Sequence, residues 1–428
     1  MMDQIQPLTQ PTVRDIAARV RGGRMTPEEA VRDSLDRIAA ADGVVNAFVE
    51  VWADRAISQA RELGARSDLS DLGLAGVPFA LKQNTSRDNP IVRRLEEAGA
   101  ISVGTTANPQ FCTWGTTDVP GRITRNPVRP GRTPGGSSGG AAAAVAAGMV
   151  PFAQGNDGMG SLRIPSAACN LSTIKATPGI VPGHCGGNDW YGMAVQGVIA
   201  QDNDDLTLLM RELTRGHVDA VDAPLPADFG AVLDLSSPVA GFGAKPEWKE
   251  AARQAARTLS DAGLPVREEK APYPLNPLPM LARWTASVAD SLRDEGLPDH
   301  LEWRNRVHAR IGRSLRWSIS DRQVIRARSK MEKFLPGDNV LITPALATEP
   351  PTDGPWNSRP WAVNMASNMR YAPFVSVWNL LGFPAGVVVE PVSGMPVQVV
   401  ARLTQERVLL TAMDRIAKGG VGVGEIGA

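Results

Sequence analysis

Residues 131–148, GRTPGGSSGGAAAAVAAG, constrain this chain more than any other stretch. Gly135, Gly136, Gly139 and Gly140 bracket two adjacent serines, Ser137 and Ser138, and an alanine run follows directly. The segment reads as a flexible loop feeding a strong helix. A phosphate cradle, a nucleophile turn and a plain connection are the three uses such a loop can have. A phosphate-binding loop of the Gly-x-x-x-x-Gly-Lys-Ser/Thr type requires a lysine after its glycines, and none follows here. Residues 135–139 do satisfy Gly-x-Ser-x-Gly, but that turn works with a histidine base and a later acid. The histidines are His184, His217, His300 and His308. His217 lies among charged residues, and His300 and His308 lie in a polar helical region, so a surface position is expected for each. His184 alone stands near glycines. No pair has the His-x-x-x-His spacing of a metal site, and no metal is expected.

A lysine can replace histidine as the base if it is kept neutral, which burial in apolar surroundings achieves. Lys82 ends the apolar run GVPFAL, which reads as a buried strand. The commoner fate of a lysine at a strand end is to point into water. What favours the first reading is a second glycine-rich segment, GNDGMGSLRIPSAACN at 155–170, which also follows a strand. Small residues in a tight turn aim several backbone N–H groups at one point, an arrangement suited to an oxyanion. Ser161 closes that turn.

The rest of the chain alternates strand and helix. Thr12 is placed to cap a first helix. Thr26, Pro27 and Glu29 form a capping-box start to a second, and a third covers 52–63. Strands are expected at 75–81, at ISVG (101–104) and at VPFAQG (150–155), with helices at 90–100 and after Gly140. Farther on come a helix over 247–262, strands at NVLITP, AGVVVE and VQVVA, and a last helix from near Gln405. Residues 222–238 and 348–360 read as loops. Alternation of this kind predicts an α/β fold with a largely covered sheet, and no linker is clean enough to cut the chain into independent domains.

Taken together, GVPFALKQN, the segment 92–111, the segment 124–170 and KATPGIVP resemble the amidase signature family. Ser137 and Ser161 lie 24 positions apart, in agreement with the family's spacing. The resemblance implies an amide hydrolase without metal or organic cofactor, built as one large α/β domain over 1–428 with a central mixed, mostly covered sheet and helices on both faces. Within it, 1–70 would supply N-terminal helices, 71–215 the catalytic core motifs, 216–345 a variable substrate-side region and 346–428 a return to the sheet. The resemblance also implies Ser161 as nucleophile, Ser137 as a bridging serine on a cis peptide bond, and Lys82 as base. The N–H groups of Gly158, Met159, Gly160 and Ser161 would form the oxyanion hole, with Ser138, Asp157 and Arg163 as supports. Three departures stand out. Gln83 occupies a position where the family usually has aspartate. Met159 replaces a glycine beside the oxyanion hole. Only nine residues separate Lys82 from Val92, where relatives carry a longer segment, so a more open mouth is expected.

Composition narrows the partners. Lys+Arg and Asp+Glu are both 45, which argues against nucleic acid, whose binders carry a basic excess. Three cysteines without a C-x-x-C spacing, no leader-like N-terminus and no long apolar run lead to the expectation of a cytoplasmic protein without a membrane span, monomeric or homodimeric. Ten tryptophans against three tyrosines permit an aryl or otherwise bulky apolar substrate, and an open mouth with aromatic walls would suit anilides or carbamates. Trp190, Tyr191, Trp356 and Trp361 are the candidate pocket residues, and Trp303, Trp317 and Trp378 could serve either core or pocket. An acyl-transfer enzyme or amidotransferase subunit would use the same residues with a partner. A silent scaffold or a histidine-dependent esterase completes the alternatives.

Overall fold

The computed structural model describes residues 11–186, 189–218, 229–294 and 296–419. Alternation along the strands explains its layers. Phe79 and Leu81 join one buried apolar cluster with Phe152, Ile174 and Val198, while Ala80 joins another with Ala153 and Ile199. Successive side chains of a strand point to opposite faces. These strands are therefore apolar on both sides and need cover on both.

The strands are β1 (Phe48–Val51), β2 (Pro78–Lys82), β3 (Ile101–Thr106), β4 (Asp118–Val119), β5 (Arg122–Ile123), β6 (Phe152–Asp157) and β7 (Ser172–Lys175). They continue with β8 (Val195–Ala200), β9 (Ala231–Leu233), β10 (Val266–Glu268), β11 (Val340–Pro344), β12 (Ala385–Glu390) and β13 (Met395–Val400). β4 and β5 pair as a small ribbon, and the other eleven form one sheet in the order β1-β3-β2-β6-β8-β7-β12-β13-β11-β9-β10. β2 runs parallel to β3 and β6, and β9 runs parallel to β10 and β11. The remaining neighbours are antiparallel, so the sheet is mixed. Helices Val13–Arg21, Asn203–Thr214, Pro246–Asp261 and Glu406–Ala417 cover one face. Helices Pro27–Val45, Ala53–Gly64 and Gly139–Ala146 cover the other. The fold has the α/β class and the covered sheet that alternation predicts, and its sheet is mixed, as the family resemblance implies.

Local signals act as expected at the helix starts. Thr12 Oγ1 accepts from the Asp15 N–H at 3.1 Å. The Thr26 and Glu29 side chains each accept from the other's backbone N–H, at 3.2 and 2.7 Å. The alanine run forms the helix Gly139–Ala146, every residue of which is buried. Its side chains are small enough to lie against Ala80 and Ala153, equally small, on β2 and β6.

One expected loop is partly wrong. Of 222–238, residues 222–228 lie outside the described residues, but Ala231–Leu233 is strand β9, buried between β10 and β11. Three apolar residues are too few to show a period; pairing on both edges makes them a strand. Among the described residues no helix is long and apolar enough to cross a membrane.

Candidate active site

Period 2 along β2 decides where Lys82 goes. Lys82 is two residues beyond Ala80, so it faces the side of the sheet covered by the alanine helix and its glycine-rich entry loop. There Lys82 is fully buried. Its Nζ donates to Asn156 Oδ1 at 2.6 Å and stands 2.7 Å from Ser137 Oγ. No carboxylate forms an ion pair with it among the described residues, and burial pushes its pKa below the ordinary lysine value. Asn156 Oδ1 can only accept, so with the amine neutral it would hold one N–H and leave the lone pair toward the Ser137 hydroxyl. The peptide bond between Gly136 and Ser137 is cis.

Ser161 closes the turn after β6. Its carbonyl accepts from the Ser138 N–H at 3.1 Å, and Ser138 Oγ donates to the Asn156 carbonyl at 3.2 Å. Ser138 thus stitches the two glycine-rich turns together. No hydrogen bond joins the Ser161 and Ser137 hydroxyls among the described residues. Ser161 is 8% exposed and faces two cavities. Catalytic hydrogen bonds commonly tighten only once substrate is bound.

Asp157 and Arg163 shape the turn. Both are fully buried, with Arg163 Nε 3.0 Å from Asp157 Oδ2. Burial alone raises the carboxyl pKa, but the Arg163 charge and the hydrogen bonds from Arg163, Asn379 and Gly160 outweigh it and hold Asp157 at about 2. Asp157 Oδ1 accepts the Gly160 N–H at 2.6 Å, which takes Gly160 out of the expected set of oxyanion donors. No hydrogen bond engages the N–H groups of Gly158, Met159 or Ser161 among the described residues. Gly160 has φ +107°, a conformation that excludes a side chain. Asn379 and Gln398, which complete the Arg163 network, carried no sequence signal: they sit over 200 positions away.

One cavity at Ser161, about 270 Å³, is apolar, with Trp114, Trp190, Trp284, Met159, Met280 and Met365 in its walls. The other, about 290 Å³, is bordered by Asn84, Asn108, Asn156 and Ser291. Trp190 and Cys112 belong to both. Each is a non-glycine residue in a left-handed backbone conformation, with φ of 53° and 56°. A larger surface groove of about 600 Å³, which includes Arg293, Arg306 and Arg313, contains none of the candidate residues.

The other expected aromatics lie elsewhere. The Tyr191 hydroxyl bonds Asp290. Trp356 donates to the Thr352 carbonyl at 2.9 Å, and Trp361 donates to His308 Nδ1 at 3.1 Å, behind the apolar wall. Trp378 is core, whereas Trp303 and Trp317 are exposed, which corrects the core-or-pocket expectation for both. His308 corrects the surface expectation. It is fully buried against Trp114 and Trp284, and burial drives its pKa down to about 3. Arg306, Arg310 and Arg313 are exposed on the same helix and masked its position in the sequence. Met280 and Trp284, and likewise Met365 and Met369, are four apart on helices Leu278–Asp294 and Trp361–Tyr371. That spacing was legible; the partner of each face was not.

A family model described as Amidase matches residues 29–89 and 85–410. The two stretches meet just after Lys82, where the sequence shows its shortened segment. A Mycobacterium tuberculosis protein whose name, AmiB2, assigns it to the amidases is 32% identical over 439 residues, covering 94% of each chain. A glutamyl-tRNA(Gln) amidotransferase subunit from Agathobacter rectalis is 32% identical over 60% of this chain and 58% of its own. The solved 6-aminohexanoate cyclic dimer hydrolase superposes with TM-score 0.83 at 24% identity, covering 98% of both chains, a likeness of fold.

Proposed function

The chain belongs to the amidase signature family of C–N hydrolases, and from that premise we propose that it cleaves amides through Ser161, Ser137 and Lys82. Neutral Lys82 takes a proton from Ser137, which takes one from Ser161. Ser161 attacks the carbonyl, and the N–H groups of Met159 and Ser161, with Gly158 alongside, receive the developing oxyanion. The proton returns through Ser137 to the leaving nitrogen. Water then releases the acyl group by the same route.

The single observation that carries this reading is a fully buried lysine, without a carboxylate partner among the described residues, 2.7 Å from the serine of a glycine-rich turn. A lysine so placed loses its charge and becomes a base. The tryptophan-walled cavity supports an amide that carries a bulky apolar group. None of the four histidines lines a cavity with Ser161, so nothing favours a histidine-dependent esterase.

Ser161→Ala and Lys82→Arg test the reading. Arginine cannot become neutral, so Lys82→Arg is expected to lose roughly 10²–10⁴-fold in kcat/KM, the usual range for a general base. Ser161→Ala is expected to lose all acyl-enzyme formation, seen as loss of the covalent adduct by mass spectrometry. An alanine variant as active as the wild type ends the assignment.

A further inference from the structure

Among the described residues, neither cavity at Ser161 has a charged side chain in its lining. An ion taken out of water needs a counter-charge, and none is offered on either side. Trp190 divides the two spaces. A Cβ built on Gly158 would stand 2.6 Å from its indole, so the ring lies directly on the turn that carries Ser161. The apolar side is walled by tryptophan and methionine, and the other side by three asparagine amides.

The proton route orients the substrate between them. Lys82 Nζ is held by Asn156, and Asn156 borders the amide-lined cavity. Ser137 Oγ, which returns the proton to the leaving nitrogen, is 2.7 Å from that same Nζ, so the leaving nitrogen is placed toward this side. Asn84 and Asn108 also border an open depression with Gln83, Gln110, His300 and Glu302, a polar path along which an amine leaves and water enters. The acyl group is left with the apolar cavity, into whose wall Met159 brings a side chain from beside the oxyanion site.

We infer that the protein cleaves uncharged carboxamides with an apolar acyl group and a small polar or unsubstituted nitrogen, and that Met159 sets the size of acyl group admitted. The inference rests on the hydrolase reading above. Water adds across the C–N bond to give the carboxylic acid and the free amine, with no other co-reactant. Glutamine, with an ammonium and a carboxylate, finds no ionic partner among the described residues of either cavity, so their chemistry favours the uncharged amide over glutamine.

The test compares kcat/KM for 3-phenylpropionamide, acetanilide and glutamine. The first should exceed acetanilide on the order of tenfold or more, the range that a filled apolar pocket provides, and glutamine should not turn over. Met159→Gly should shift the preference between 1-naphthylacetamide and 3-phenylpropionamide toward the larger acyl group by about tenfold. Met159→Leu should keep the wild-type ratio. Calorimetry on Ser161→Ala ranks the same compounds without chemistry. Ser161→Ala that still hydrolyses 3-phenylpropionamide overturns the hydrolase reading itself. An inactive Ser161→Ala, with acetanilide or glutamine as the better substrate or ligand, overturns only the orientation. Wild type that turns over none of them, with no binding of 3-phenylpropionamide to Ser161→Ala, overturns it as well.

Discussion

Arg163 makes four side-chain hydrogen-bonding contacts of different origin: to Asp157, to the Val375 carbonyl, to Gln398 and to Asn379. All are buried, so none exchanges with water. Arg163→Met therefore strands the Asp157 carboxylate in the interior. The expected cost is about 3–5 kcal/mol, the usual result of breaking a buried pair from one side, read as a shift in the denaturant midpoint. Asp157→Asn combined with Arg163→Met should recover part of it, because no charge is then left unpaired. At this scale the sequence was informative about Lys82, Ser137 and Ser161, through an apolar run, two glycine-rich turns and the family resemblance those segments carry. It was silent about Asn379, which reaches Asp157 from 222 positions away, and about the use of the Gly160 N–H.

The helix Gly139–Ala146 shows why an element follows its neighbours rather than its propensity. Alanine is the better helix former by about 1 kcal/mol than glycine, so Gly140→Ala on an exposed helix would stabilise. Here a Cβ at Gly140 would lie 2.5 Å from the Ala107 carbonyl oxygen and 2.8 Å from that of Ala47. Both atoms belong to backbone and cannot step aside. Gly140→Ala is expected to destabilise by about 1–3 kcal/mol, the range for overpacking, measured by thermal or denaturant unfolding. The helix itself was legible from its alanines, as were the strands around it from their apolar runs. The helices Leu278–Asp294 and Trp361–Tyr371 present amphipathic faces in sequence, but a face does not name what it covers.

Across the whole molecule the balance of charges conceals a pH dependence. Unfolded, His308 titrates near its ordinary 6.5; buried, it is held at about 3. Between those values the unfolded chain binds the additional proton, so stability falls as pH drops from 6.5 toward 3. By pH 5 the loss from this group is about 2 kcal/mol. Asp205 acts with the opposite sign. Burial and the Asp202 charge raise it from 3.8 to about 6, so its contribution is present at low pH and is lost as pH rises through that window. Comparing wild type with His308→Gln cancels Asp205, which both proteins share. The glutamine can still donate to the Trp284 carbonyl but does not titrate. Its unfolding free energy should change less between about pH 8 and pH 5 than that of the wild type, by about the same 2 kcal/mol.

By itself the sequence determined the layered sheet, the helix starts and the candidate lysine and serines. The sheet and the helix starts depend on spacing within a few residues, through the period of a strand or the reach of a cap, and the lysine and serines stood out through their apolar and glycine-rich neighbours and the family resemblance those segments carry. Only the tertiary structure decided that Trp190 borders Ser161 while Trp356 does not, that His308 is buried, and that Asn156 holds the amine of Lys82. Those outcomes arise where segments far apart in the chain are packed together, and a cavity is the shape left between them.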